Sequence, residues 1–121
     1  MLGDIHEVTG WVTIGFTGLV GLWGVAAAVR KREVGAWFAL GTIVGLVMAV
    51  VQTGLGLVLY WQGLNPGSFH LFYGIVVLFA VAFGYIYKAQ LAANPALRWG
   101  LLMLFVCGLG LRAWMTFGAS L

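Results

Sequence analysis

Charge is what this sequence has least of: its 121 residues include six Lys or Arg and three Asp or Glu, or 7% of the chain. Soluble domains carry about 25% charged residues. Because 63% of the residues are hydrophobic, water cannot solvate the surface of this chain, which excludes a soluble protein and predicts a lipid bilayer as its environment. The basic residues form no stripe, so the net charge of +3 does not indicate nucleic-acid binding.

Cysteine and proline are also scarce. The single cysteine, Cys107, lies within an apolar run, which excludes a disulfide framework and a cysteine-based zinc site. The two prolines stand in "QGLNPGS" and "AANPA", where they favour loops between helices. The sequence also lacks a Ser-His-Asp or Cys-His arrangement for hydrolysis. These absences leave enzymatic activity uncertain and favour a protein that is not an enzyme by itself.

Four long apolar segments make up most of the chain. They are predicted at 7–29, 35–61, 69–88 and 97–117, each close to the roughly 20 residues that cross the hydrocarbon core of a membrane. The connections between them are short, so consecutive spans are antiparallel neighbours. The sequence therefore predicts one domain over residues 1–121, an all-α integral membrane protein with an up-down four-helix transmembrane bundle.

The basic residues predict how the bundle is oriented. They cluster at the ends of spans joined by the first and third connections: Arg30, Lys31, Arg32, Lys88 and Arg98. By the positive-inside rule these connections are cytoplasmic, so both termini and the "WQGLNPGSF" loop lie on the outer side. We expect a multi-pass protein of the cell (inner) membrane.

Small residues recur every three or four positions on two of the spans, as on membrane helices that pack closely. The first span carries Thr13, Thr17, Gly21 and Gly24, and the second carries Gly41, Gly45, Ala49 and Thr53. We interpret both faces as packing surfaces.

Polar residues inside the spans are costly and therefore informative about function. His6 in "HEVTG" and His70 in "HLFYG" open the first and third spans, and Gln52 and Arg112 lie in the other two. All four are predicted near the outer end of the bundle, one from each span. The two histidines are the only ones in the chain, and we predict that they bind one metal together.

Haem is the ligand that this pattern favours. With adjacent helices about 10 Å apart, the diagonal between the first and third spans is about 14 Å, which two imidazoles can bridge through one iron. Gly10 and Gly74 lie one turn beyond the histidines and would leave space for a flat macrocycle. Arg112 would pair with a haem propionate, and Gln52 would add a second polar contact. Aromatic residues would wall the site: Trp11, Trp61, Phe69, Phe72, Tyr73 and Trp114.

The chain resembles small four-helix membrane haem proteins. Each half of heme A synthase is a four-helix bundle with a histidine pair near the outer surface, and transmembrane b-type cytochromes share this plan. The resemblance implies that His6 and His70 are the axial ligands of haem b and that the protein transfers electrons near the outer face. This sequence has no second bundle like that of heme A synthase.

Two other functions fit the same residues. The chain can be a cofactor-free accessory subunit whose glycine stripes dock onto a larger membrane complex, or onto further copies of itself. It can also be a chlorophyll- or carotenoid-binding subunit in which His6 and His70 each ligate a separate pigment. For the haem protein, the expected partners are the lipid bilayer, a respiratory or photosynthetic complex, and quinone.

Overall fold

A computed structural model describes residues 1–119, of which 82% lie in five α-helices. The helices are α1 (Leu2–Val29), α2 (Ala36–Trp61), α3 (Ser68–Ile86), α4 (Lys88–Leu91) and α5 (Pro95–Met115). All but the one-turn α4 are long and apolar enough to cross a membrane, which confirms the predicted four-span, all-α fold.

The boundaries of the long helices lie within two residues of the predicted spans, except at the start of α1. Helix α1 begins at Leu2, so His6 lies in its second turn instead of at its start. Helix α3 ends at Ile86, and Tyr87 separates it from α4. The span prediction followed hydropathy, whereas an α-helix continues into polar sequence for as long as its backbone hydrogen bonds form.

The four long helices form a square. Helix α1 packs against α2 and α5, and α3 packs against the same two helices from the opposite side. Within the described residues α1 and α3 share no close backbone contact, so they occupy one diagonal of the square. The predicted diagonal relation between the helices that carry His6 and His70 is therefore present.

The closest helix crossing joins α1 to α5. A Cβ atom added at Gly24 would lie 2.5 Å from the carbonyl oxygen of Ala96 and 2.9 Å from Cα of Gly100. Glycine is required here because backbone atoms occupy the space that a side chain would need. The predicted small-residue face of α1 is buried in full, since Thr13, Thr17, Gly21 and Gly24 are all buried.

The residues after α5 form backbone hydrogen bonds with the loop between α2 and α3 and with the first turn of α3. The amide of Phe69 donates to the carbonyl oxygen of Ala119 at 3.3 Å, and the amide of Gly118 donates to that of Pro66 at 2.7 Å. Gly67 has a φ of +92°, and a Cβ atom there would lie within van der Waals overlap of Ala119. These contacts fix the first turn of α3, and with it His70, against the end of α5.

Candidate ligand site at the histidine end

The two histidines meet at the end of the bundle formed by the start of α1 and the start of α3. We call this end the histidine end. The centres of the His6 and His70 rings are 6.2 Å apart, and the ring planes are inclined by 77°. Both side chains are half-buried. The structure thus brings together, from diagonal helices, the two residues that the sequence predicted as one site.

Gln52 of α2 holds His6 in place. The side-chain amide nitrogen of Gln52 lies 2.6 Å from the carbonyl oxygen of His6 and 2.9 Å from its Nδ1. The hydroxyl of Thr9, one turn further along α1, donates to the side-chain oxygen of Gln52. Gln52 therefore binds both the backbone and the ring of His6.

These contacts determine the orientation of the Gln52 amide. A backbone carbonyl only accepts hydrogen bonds, so the Gln52 atom 2.6 Å from the His6 carbonyl has to be the NH₂ group. Its second hydrogen then points to Nδ1 of His6, which accepts it. A neutral imidazole that accepts at Nδ1 carries its proton on Nε2. His6 is thus held with an N–H group at Nε2.

His70 has the opposite arrangement. Its Nδ1 lies 2.7 Å from the carbonyl oxygen of Ala113, in the last turn of α5. Carbonyls in the last turn of a helix lack a partner within the helix, and this one accepts a hydrogen bond from His70. Because the carbonyl cannot donate, Nδ1 of His70 carries the proton and Nε2 keeps a free lone pair. The ring of Phe117 packs edge-on against His70, with centres 5.4 Å apart.

Neither Nε2 atom forms a hydrogen bond to any described residue. Neither Nε2 atom is fully buried, because the described part of the chain has no fully buried side-chain nitrogen or oxygen that lacks a hydrogen-bond partner. Both Nε2 atoms therefore retain some exposed surface. The pair offers a lone pair on His70 and an N–H donor on His6.

The glycines predicted to border a macrocycle differ from each other. A Cβ atom at Gly10 would lie 2.8 Å from the amide nitrogen of Gln52, so Gln52 already fills the space over Gly10. Nothing lies within 4 Å of a Cβ atom at Gly74, so that face of α3 is open. Gly56, which the sequence did not single out, lets the His6 ring lie against α2, with Cε1 only 3.1 Å from where its Cβ would be.

Arg112 lies at the same end, but its side chain is exposed. Its Nε donates to the hydroxyl of Tyr73 at 3.2 Å, and its guanidinium lies 5.9 Å from the centre of the Tyr73 ring. Among the predicted wall residues, the rings of Trp11 and Trp114 pack against each other with centres 4.9 Å apart. Together Arg112 and Tyr73 place one cation and one hydroxyl at the rim, on the side of α3 and α5.

Protein side chains alone do not complete a metal site. The described residues contain no group of three or more His, Cys, Asp or Glu placed to hold a metal ion. Glu7 follows His6 directly but is exposed. The arrangement can supply one or two imidazole ligands to a metal whose other ligands come from elsewhere.

Sequence reasoning found His6, His70 and Gln52 but missed Thr9, Gly56 and the carbonyl group of Ala113. Threonines spaced four residues apart on α1 were interpreted only as a packing face. A carbonyl group has no signature in a sequence, and one glycine among 19 is not distinctive. Hence the sequence predicted the two histidines but not the groups that orient their rings.

Comparison with known proteins gives limited guidance. No family model matches this chain, and no solved structure matches it. Over 57 residues it is 42% identical to the ferrous iron permease EfeU of Shigella flexneri. That match includes 46% of this chain and spans 23% of the length of the permease. The likeness is therefore to a minor part of a larger membrane protein.

Proposed function

We propose that this protein holds one b-type haem between His6 and His70 and transfers electrons through it close to one face of the membrane. The distance between the two rings is the observation that carries this proposal. Imidazole nitrogens bind a metal from about 2 Å, which places the centres of two opposed rings about 6 Å apart. The ring centres of His6 and His70 are 6.2 Å apart.

The surroundings of the rings fit such a group in two further respects. A histidine that binds a metal usually donates its other ring N–H to a carbonyl or carboxylate, as Nδ1 of His70 does to Ala113. The open face of α3 at Gly74 leaves room beside the rings, whereas the face of α1 at Gly10 is filled. A macrocycle would therefore have room toward α3 and α5, where Arg112 would be available to a propionate.

Haem supplies the one-electron chemistry, and the protein supplies ligands, orientation and a low dielectric. His70 and His6 would hold the iron, and the contacts of Gln52 and Ala113 set the direction of each ring. The basic connections at the opposite end of the bundle favour an outward-facing histidine end in the cell membrane. Expected partners at that face are quinone or a larger respiratory or photosynthetic complex.

An absorption spectrum tests this proposal directly. The protein is expressed with haem precursor supplied, purified in mild detergent, and measured when oxidised and when reduced with dithionite. A Soret band with sharp reduced α and β bands supports the proposal. Colourless, folded protein would contradict it and favour the accessory subunit, while pigment bands insensitive to dithionite would indicate chlorophyll or carotenoid.

A second candidate function is the handling of ferrous ions without a porphyrin, which the likeness to part of an iron permease favours. The histidine pair would then supply two ligands of a bare Fe²⁺, with water completing the shell. Equilibrium dialysis of the purified apoprotein against Fe²⁺ under anaerobic conditions tests it. Binding of one Fe²⁺ per chain that is lost when both histidines are replaced, without haem binding, would support this candidate over the first.

A further inference from the structure

We infer that the two histidines are unequal ligands: His70 binds the iron permanently, and His6 is exchangeable because Gln52 keeps a proton on its Nε2. A small exogenous ligand of the diatomic class can then displace His6 and take its position on the iron. This inference rests on the haem function proposed above and assigns to the same site a second property, ligand binding. Gln52 is a positioning residue in this scheme, since it acts on the iron only through His6.

His70 meets the requirement for a permanent ligand. The Ala113 carbonyl accepts from its Nδ1 at 2.7 Å, which leaves the lone pair of Nε2 available to a metal. The carbonyl belongs to the last turn of α5, and the backbone contacts of Phe69 and Gly118 hold that region against the start of α3. No rearrangement is needed before His70 can bind.

His6 meets the requirement for an exchangeable ligand instead. Its Nδ1 accepts from Gln52 at 2.9 Å, so the proton on Nε2 occupies the position that a metal would need. For His6 to bind iron, the proton has to move to Nδ1, and the hydrogen bond from Gln52 has to break. Gln52 resists this, because the same amide also bonds to the His6 carbonyl, and Thr9 bonds to its oxygen.

The distance between the rings leaves room for an iron atom but not for a further ligand. Ring centres 6.2 Å apart have the separation of two imidazoles that bind one iron directly. A diatomic ligand therefore binds only after His6 has moved away, and the proton on Nε2 of His6 favours this exchange. Carbon monoxide is a suitable probe, because it binds reduced haem only where one axial position can be vacated.

The experiment changes the hydrogen bond that Nδ1 of His6 receives. Gln52→Glu replaces the amide donor by a carboxylate, which accepts from Nδ1 and so frees the lone pair of Nε2. Gln52→Leu removes the hydrogen bond altogether and serves if the carboxylate variant does not fold. Gln90→Leu is the matched control, because Gln90 is exposed in α4 at the opposite end of the bundle. Spectra of the reduced proteins are recorded over a carbon monoxide titration.

We expect the unaltered protein and Gln90→Leu to bind carbon monoxide equally. In Gln52→Glu the six-coordinate, low-spin fraction of the haem rises further, and carbon monoxide affinity falls about tenfold or more, the range seen when the partner of a ligating histidine is altered. Gln52→Leu moves in the same direction by less. Two results would overturn this inference alone: bound haem that does not bind carbon monoxide, or Gln52 variants with the same carbon monoxide affinity as Gln90→Leu. Absence of haem from every protein would overturn the proposed function as well.

Discussion

His6 and His70 are the same residue at the same end of one bundle, yet they are held in opposite ways. His70 donates from Nδ1 to the backbone carbonyl of Ala113, whereas His6 accepts at Nδ1 from the side chain of Gln52. The partner of His70 is a main-chain carbonyl near the end of α5, whereas the partner of His6 is a side chain that depends on its own hydrogen bonds to Thr9 and to the His6 carbonyl. The comparison teaches that the position of a histidine ring does not by itself decide whether it binds a metal. The hydrogen-bond partner of Nδ1 also decides this, because it determines whether Nε2 keeps a free lone pair.

Replacing each histidine separately tests this difference most strongly. In His70→Ala we expect haem content to fall about tenfold or more, because the only nitrogen with a free lone pair is removed. In His6→Ala we expect most haem to remain, with a five-coordinate, high-spin spectrum. Haem per chain is measured by the pyridine haemochrome method. Equal loss in both variants would show that the two ligands are equivalent.

Two glycines offer a matched pair of smaller changes. In Gly56→Ala the new methyl group would lie 3.1 Å from the His6 ring and shift it by a few tenths of an ångström, while nothing lies within 4 Å of a methyl group at Gly54 on the same helix. We therefore expect Gly56→Ala to alter carbon monoxide affinity several-fold and Gly54→Ala to leave it nearly unchanged. The alanine methyl is small enough to keep the bundle intact, which thermal unfolding in detergent checks. Equal effects of the two substitutions would show that the position of the His6 ring does not determine the affinity.

The hydroxyl of Thr9 should have a weaker influence on the same ring. Thr9→Val keeps the shape of the side chain but removes the hydrogen bond to Gln52. A net hydrogen bond contributes about 1 kcal/mol, so we expect the low-spin fraction to rise by less than in Gln52→Leu. Thr13→Val is the control, because its hydroxyl bonds within α1 to the carbonyl of Thr9. Identical spectra for the Thr9 and Thr13 variants would show that the hydrogen bond from Thr9 to Gln52 does not affect the ligation of His6.

Substitutions of Arg112 and Tyr73, at the exposed edge of the site, should affect haem retention least. Arg112 is exposed and bonds to Tyr73, so Arg112→Gln is expected to weaken haem retention by a few-fold at most, through loss of a propionate partner. Tyr73→Phe removes only the hydroxyl and should have no measurable effect. Haem dissociation into excess apomyoglobin measures both variants. A larger loss with Tyr73→Phe than with Arg112→Gln would contradict this ranking.

Hydropathy and charge were sufficient to predict the fold class and the four spans. The meeting of His6 with His70 was also predictable, because diagonal helices of an up-down bundle bring their ends together. The partnership of Gln52 with His6 was not, since apolar residues surround Gln52 on α2 and hydropathy does not show whether its side chain faces α1 or lipid. The same limit explains why Gly10 was predicted to border open space that Gln52 in fact fills.

Titration of the apoprotein with haemin tests the central claim most directly. The Soret absorbance is followed as haemin is added to detergent-solubilised protein, beside a variant with both histidines changed to Ala. Binding that saturates at one haemin per chain and is abolished in the double variant is the result that we predict. Equal, non-saturating binding by the two proteins would contradict the assignment of His6 and His70 as a haem site.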